Sequence, residues 1–116
     1  MQRIDRKTAV SDLLTLSRDL DSITRDLKGF EWVSDEKLGV LTRKHVADIL
    51  DRYLSAKLSE KQVTDWANAL GGRDDIEFDR SNKRAVEDAI FLLANPEIKS
   101  AITHSLAKKI KAQLGL

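Results

Sequence analysis

The sequence predicts an all-α protein, a single compact helical bundle of about five helices. Aliphatic side chains recur every three or four residues in several segments, the spacing that places them on one face of an α-helix. Only one proline and five glycines interrupt the 116 residues. Because 41% of the residues are hydrophobic and 34% are charged, the chain has the balance of an amphipathic helical protein with its own core. We therefore predict one domain at 1–116, with a helical core at about 42–114.

The first predicted element is a long helix at about 8–28. Its apolar stripe consists of Ala9, Leu13, Leu16, Leu20, Ile23 and Leu27. Alternating steps of three and four residues put these side chains on one narrow face. Such a face suits packing within the same chain, and it also suits a coiled-coil seam, so a structural homodimer through this helix is one hypothesis. Residues 29–41 then form a connection in which Phe30, Trp32 and Val33 are expected to fold onto the core.

Two further helices with a short break between them are predicted next. Thr42 is expected to cap the second helix, which reaches about Leu54. Ser59 and Gln62 have the spacing of a capping box for the third helix, which ends at Gly71. The arrangement also suggests a helix-turn-helix-like nucleic-acid binder. However, the exposed face of the third helix is nearly neutral, and phosphate binding depends on Lys and Arg, so the sequence argues against nucleic acid as the partner.

The C-terminal part alternates charged and apolar residues before two more helices. A short extended stretch is predicted around Ile76–Phe78. The fourth helix starts near 79–82, and because apolar residues cover nearly all of its faces, it is predicted to be the central helix. Asn95 and Pro96 are expected to end it and to start the last helix at about 97–114, with Asn95 as the N-terminal cap.

The composition excludes several classes of function. There is no cysteine, so disulfides, thiolate catalysis and cysteine-ligated zinc are excluded. No apolar run approaches the roughly 18–20 residues of a membrane span, and we expect a cytoplasmic, bacterial protein. His45 and His104 are the two histidines, and neither has a second ligand at a metal-binding spacing. The sequence therefore predicts no enzyme activity, no metal and no cofactor.

Charge is distributed unevenly near the C-terminus. Residues 74–98 carry seven acidic and three basic side chains, a net of −4, whereas residues 99–116 carry four lysines and no acid, a net of +4. These charges either pair within the fold or form two surfaces for partners. The candidate partner-binding residues are Arg73, Asp74, Asp75, Glu77 and Asp79. This acidic edge is expected to dock a basic partner protein, and the alternative is that Arg73 and the neighbouring aspartates fasten a loop.

The chain resembles a family of small bacterial helical proteins. The resemblance rests on segments that include Asp65-Trp66-Ala67-Asn68, Gly72-Arg73-Asp74-Asp75-Ile76 and Leu93-Ala94-Asn95-Pro96-Glu97-Ile98. It covers nearly the whole length and implies no activity, ligand or cofactor. Some helical proteins of this size are similar to immunity partners in toxin systems, and by that analogy the resemblance suggests an immunity- or antitoxin-like, intracellular protein–protein interaction domain.

Overall fold

The computed structural model describes residues 6–28, 37–71, 75–97 and 101–115. These residues form six α-helices and two short strands. The elements are α1 (Arg6–Thr15), α2 (Leu20–Lys28), β1 (Gly39–Leu41), α3 (Arg43–Leu54), α4 (Glu60–Leu70), β2 (Ile76–Phe78), α5 (Lys83–Ala94) and α6 (His104–Gln113), with a 3-10 turn at Arg80–Asn82 before α5. The predicted mostly helical fold is confirmed. In place of about five helices the described residues form six, because the predicted first helix is divided.

The prediction of one continuous helix at 8–28 is wrong. α1 ends at Thr15, Leu16 has a positive φ of 48°, and α2 begins at Leu20. The apolar stripe nevertheless faces the interior on both sides of the break. Its buried members are Ala9, Leu13, Ile23 and Leu27, and its half-buried members are Leu16 and Leu20. The side chains named for a homodimer therefore belong to the chain's own core.

Donors from distant helices stabilise the break at the end of α1. The indole Nε1 of Trp66 donates to the carbonyl oxygen of Leu13 at 2.7 Å. The guanidinium of Arg52 donates to the carbonyl oxygens of Thr15 and Leu16. The last carbonyls of a helix have no partners within the helix. Arg52 satisfies those of Thr15 and Leu16, and Trp66 gives the carbonyl of Leu13 a second donor beside the backbone N–H of Leu16. α1 can therefore end without continuing into α2.

Polar side chains of the turn itself then start α2. The carboxylate of Asp19 accepts a hydrogen bond from the backbone N–H of Ser22 at 2.9 Å, and this bond holds the pKa of Asp19 below its usual value. Arg18 connects the two helices, because its Nε lies 2.9 Å from Asp12 and its Nη2 lies 2.7 Å from Asp26. The bend is therefore held by hydrogen bonds from Trp66 and Arg52 and by the ion pairs of Arg18 with Asp12 and Asp26.

Capping boxes set the starts of α3 and α4; the one at Ser59 was predicted in full, whereas at α3 only the cap by Thr42 was predicted. At α4, the backbone N–H of Gln62 donates to Ser59 Oγ at 3.1 Å, and the backbone N–H of Ser59 donates to Gln62 Oε1 at 2.8 Å. At α3 the same two bonds form with a histidine in the third helical position. The backbone N–H of Thr42 donates to Nδ1 of His45 at 3.0 Å. His45 therefore has a structural role that requires a neutral ring nitrogen.

The cap at His45 makes part of the stability depend on pH. Burial lowers the pKa of His45, although Asp48 opposes this with a smaller effect. Because the lowered pKa belongs to the folded state, the unfolded chain binds the proton more readily, and the stability contributed above about pH 6.5 is lost as the pH falls through the folded-state pKa. A His45→Gln variant keeps the acceptor. We expect it to match the wild type in urea denaturation at about pH 7.5 and to exceed it at about pH 5.

Equal losses for the wild type and His45→Gln on acidification would show that His45 does not carry this dependence. His45→Ala is the second comparison. It removes the acceptor at every pH and is expected to cost about 1 kcal/mol at neutral pH, the usual value of a lost helix cap.

A small parallel sheet links the two halves of the chain. β1 pairs with β2 in a register that aligns Gly39 with Ile76 and Leu41 with Phe78. The extended stretch predicted at 76–78 is confirmed as β2, whereas β1 lies in a segment predicted to be only a connection. A Cβ at Gly39 would lie 2.8 Å from Leu14 Cδ1 and 2.9 Å from Val10 Cγ1 of α1. The close approach of β1 to α1 therefore requires glycine at this position.

α3, rather than α5, occupies the centre of the fold. It contacts α1, α4, α5 and α6. The hydroxyl of Tyr53 donates to the carbonyl oxygen of Ile102 at 3.3 Å, and Arg43 Nη1 donates to that of Leu114 at 3.2 Å, which closes the C-terminal end of α6. α5 buries only the predicted stripe. Its members are Val86, Ala89, Ile90 and Leu93. The prediction of a central α5 is wrong, because Phe91 lies on the exposed face.

The last helix begins later than predicted. Asn95 does not cap it, because its side-chain Nδ2 donates to the carbonyl oxygen of Phe91 at 2.9 Å and so closes α5. α6 starts at His104, with the side chain of Thr103 accepting from the backbone N–H of Leu106 at 3.1 Å. Phe30, Trp32 and Val33, which the sequence predicts to fold onto the core, lie outside the described residues. No helix in the described ranges is long and apolar enough to cross a membrane.

Candidate functional site

The structure places Asp75 in the interior and not at a docking edge. Its side chain is buried, and its Oδ2 lies 3.0 Å from Nε of Arg6 at the start of α1. Its backbone carbonyl accepts hydrogen bonds from the N–H groups of Leu38 at 2.7 Å and Gly39 at 3.3 Å. Asp75 therefore fastens α1 to the start of both strands. In this position its carboxylate is not available to a partner surface.

Glu77 and Asp79 are half-buried and engaged within the chain. Glu77 Oε1 lies 3.4 Å from Nε of Arg80, a surface pair of the kind that contributes little energy. Asp79 Oδ1 accepts from the backbone N–H of Ser81 at 3.1 Å and starts the 3-10 turn. Arg73 and Asp74, the other predicted members of the acidic edge, lie outside the described residues. Of the three predicted residues that the structure describes, Glu77 and Asp79 have partly exposed carboxylates and Asp75 does not.

In the parts of the acidic and basic C-terminal segments that the structure describes, the opposite charges do not pair with one another. Among the described residues, no ion pair joins the acidic segment 74–98 to the basic segment 99–116. The pairs made by these two segments are Asp75–Arg6, Glu77–Arg80, Glu87–Lys83 and Lys111–Asp51. Of the two alternatives that the charge pattern allows, the described contacts therefore fit two separate surfaces.

The most exposed aromatic side chain of the described residues lies on α5. Phe91 is 48% exposed in the last turn of the helix. Glu87 and Asp88 precede it by one turn, and Arg84 precedes it by two, so the four side chains follow one another along the solvent side. We call Arg84, Glu87, Asp88 and Phe91 the α5 face. Asp88 forms no ion pair with any described residue, and Glu87 is 3.9 Å from Lys83.

A second exposed surface lies on α6 and is basic. Lys108 and Lys109 are exposed and form no ion pair within the described ranges, whereas Lys111 pairs with Asp51 of α3. Ser105 and Ala112, one turn before and one turn after the two lysines, are also exposed. We call Ser105, Lys108, Lys109 and Ala112 the α6 face.

No protein family, curated protein or solved structure matches the chain. The resemblance to small bacterial helical proteins consequently stays a prediction. The function has to be argued from the described residues alone.

The two histidines of the chain both contact neighbouring residues in the structure. In the described ranges, no group of three or more His, Asp or Glu residues could hold a metal ion. The ring of His45 is used in the cap of α3, and the ring of His104 meets that of Tyr53 edge-on at 5.3 Å between centroids. Both histidines thus have structural surroundings.

The position of Phe91 along α5 could have identified the α5 face from the sequence, but counting the apolar residues of this helix grouped Phe91 with the core. The buried stripe of α5 follows the steps 86, 89, 90 and 93. Phe91 falls outside it, since each residue turns the helix by about 100°. An aromatic residue placed three and four residues after two carboxylates, on the polar side of a helix, is the pattern that identifies this face.

Proposed function

We propose that the protein is an intracellular protein–protein interaction domain whose α5 face docks on a basic surface of a partner protein. The observation that carries the proposal is the exposure of Phe91 on an ordered helix beside Glu87 and Asp88. Fully burying a phenylalanine side chain is worth roughly 1.5–3 kcal/mol, and a partner that covers the exposed half of Phe91 gains about half of that energy.

The composition of the α5 face suits a protein partner. Aromatic residues are enriched at interfaces, and their energies concentrate where a large side chain enters a pocket surrounded by polar contacts. Glu87 and Asp88 supply that polar surround on one side of Phe91. Their charge favours lysines or arginines opposite them and disfavours acidic surfaces, so it selects the partner more than it strengthens binding.

The role that we propose is that of a binder, comparable to an immunity protein or an antitoxin. A small domain with an exposed aromatic and two carboxylates on one helix has what such a role needs, namely a rigid surface for one basic partner. The acidic edge predicted from the sequence moves, in this proposal, from Asp75 and its neighbours to α5.

The other two hypotheses receive less support from the described contacts. Nucleic-acid binding through α4 would need unpaired cations on its outer face, but Lys61 lies 2.6 Å from Asp65. Self-association through the N-terminal helices would need Leu13 and Ile23 at the surface, and both are buried.

A site-specific cross-linker tests the proposal directly. A photoreactive phenylalanine analogue at position 91 is expected to form a covalent product with a protein that presents a basic surface, in living source cells. The matched control carries the analogue at Val40, which is 44% exposed on the solvent side of β1 and therefore similarly accessible.

Charge reversal at Asp88 tests whether the cross-link depends on the carboxylates of the α5 face. Asp88→Lys in the protein with the analogue at position 91 is expected to abolish the product, because the carboxylate that faces the partner's cations is lost. Phe91→Ala is expected to weaken binding to the captured protein about 30-fold, the usual cost of truncating an interface anchor. Identical products from positions 91 and 40, or a product that persists in the Asp88→Lys variant, would contradict docking through α5.

A further inference from the structure

We infer that the basic surface recognised by the α5 face is the α6 face of a second copy of this chain. The inference rests on the proposed function and names its partner. It comes from the charges of the chain itself, since 74–98 and 99–116 carry opposite net charges of −4 and +4. Part of this charge is already paired within the chain, as Asp75 is with Arg6 and Lys111 is with Asp51. Asp88 on α5 and Lys108 and Lys109 on α6 are exposed and form no ion pair among the described residues, so these charges can attract the opposite surface of another molecule.

The spacing of the two faces matches residue by residue. On α5, Glu87 and Asp88 lie four and three residues before Phe91. On α6, Lys108 and Lys109 lie four and three residues before Ala112. Two helices with the same rise per residue, laid side by side in parallel, therefore place both carboxylates opposite both lysines when Phe91 lies opposite Ala112.

The α6 face also leaves room for the aromatic ring. Ala112 is small and exposed, and Ser105 at the other end of the face is small as well. The aliphatic stems of Lys108 and Lys109 can cover the ring of Phe91 while their ammonium groups reach the carboxylates. A bulky side chain at the position of Ala112 would prevent this packing.

Every copy carries both faces, and this determines the kinds of assembly that can form. When the two contacts between a pair of molecules are reciprocal, the result is a closed two-fold dimer. When the faces of one molecule cannot both reach the same partner, the same contact builds an open chain. In either case the association depends on concentration and weakens as salt screens the ion pairs.

Analytical ultracentrifugation of the wild-type chain over a range of concentrations is the first measurement. We expect a sedimentation coefficient that rises with concentration at low salt and that rises less at about 0.5 M salt, where the Debye length is only a few ångström. Phe91→Ala is expected to weaken the association about 30-fold.

Charge exchange between the two faces is the decisive experiment. Glu87→Lys/Asp88→Lys and Lys108→Glu/Lys109→Glu are each expected to be monomeric alone, because both faces then carry the same sign. An equimolar mixture of the two variants is expected to associate again, and the chain with all four substitutions is expected to associate by itself. The control Lys57→Glu/Lys61→Glu makes the same change in net charge as Lys108→Glu/Lys109→Glu, at exposed positions off both faces, and should associate like the wild type.

A wild-type chain that stays monomeric at every concentration in low salt would overturn the inference. So would failure of both the mixture and the four-fold variant to associate while their circular dichroism spectra stay native. The proposed function is tested separately by the cross-linker at position 91. Capture of a different basic protein there, together with a monomeric wild type, would reject self-association and retain the proposed docking surface.

Discussion

An Asp75→Ala variant is expected to lose about 3 kcal/mol of its free energy of unfolding, the usual cost of breaking a buried ion pair by removing one partner. The carboxylate is buried, while the side chain of Arg6 is only 17% exposed, so the guanidinium would be left largely out of water without its acid. Urea denaturation followed by circular dichroism measures the loss.

Glu77→Gln is the matched control for this prediction. It changes an acidic residue two positions further along the same segment, where the ion pair with Arg80 lies at the surface, and it should cost less than about 1 kcal/mol. The comparison also separates the two roles considered for Asp75. A docking residue would leave the unfolding transition unchanged and weaken partner binding, and that outcome would contradict the fastening role.

Trp66→Phe is expected to cost about 3 kcal/mol, from the cavity left in the core and the loss of the shorter of the two hydrogen bonds to the carbonyl of Leu13, whose other donor is the backbone N–H of Leu16. The indole is fully buried, and its Nε1 donates to that oxygen at 2.7 Å. Phenylalanine fills only part of the volume and donates nothing. Thermal and urea denaturation at the far-ultraviolet helix band measure the loss without relying on tryptophan fluorescence.

Tyr53→Phe provides the comparison for Trp66→Phe. It also removes a buried donor, but it keeps the ring, and the bond from the hydroxyl to the carbonyl of Ile102 is longer at 3.3 Å. We expect a loss of about 1 kcal/mol. If Trp66→Phe costs no more than Tyr53→Phe, then α1 does not depend on the indole for its C-terminal end.

The parts of the fold that local chemistry determines were predictable from the sequence. Capping boxes depend on residues three positions apart, so Thr42 and Ser59 identified the starts of α3 and α4. The spacing of aliphatic side chains identified the buried face of each helix. These signals lie within one or two turns of the structure that they specify.

The features that depend on distant contacts were not predictable in the same way. The break at Leu16 is satisfied by donors from α3 and α4, and β1 exists because β2 pairs with it 37 residues later, as Gly39 aligns with Ile76. The regular spacing of apolar residues continues across the break at Leu16, so the spacing alone does not reveal the break. For the same reason the predicted last helix was too long, since Ile102 is buried like a helix residue of the apolar stripe although it lies before α6.

The candidate site was also only partly predictable from the sequence, because distant contacts decide which of its side chains are exposed. Counting charges located an acidic segment correctly, but burial decides which carboxylates a partner can reach. An ion pair with Arg6, 69 residues earlier in the chain, holds the carboxylate of Asp75 in the interior. No sequence pattern near position 75 predicts that pairing. Phe91 was counted with the core because its neighbours in sequence are apolar, although its angular position on the helix excludes it.

The bend between α1 and α2 has a consequence for how the protein is made. Its donors, Arg52 and Trp66, are synthesised long after the helices that they hold apart. A nascent chain that has emerged from the ribosome only as far as α2 has every residue of the bend and none of these distant donors. We therefore expect α1 and α2 to take their final arrangement late, only after α4 has been translated, although both are synthesised before α3 and α4.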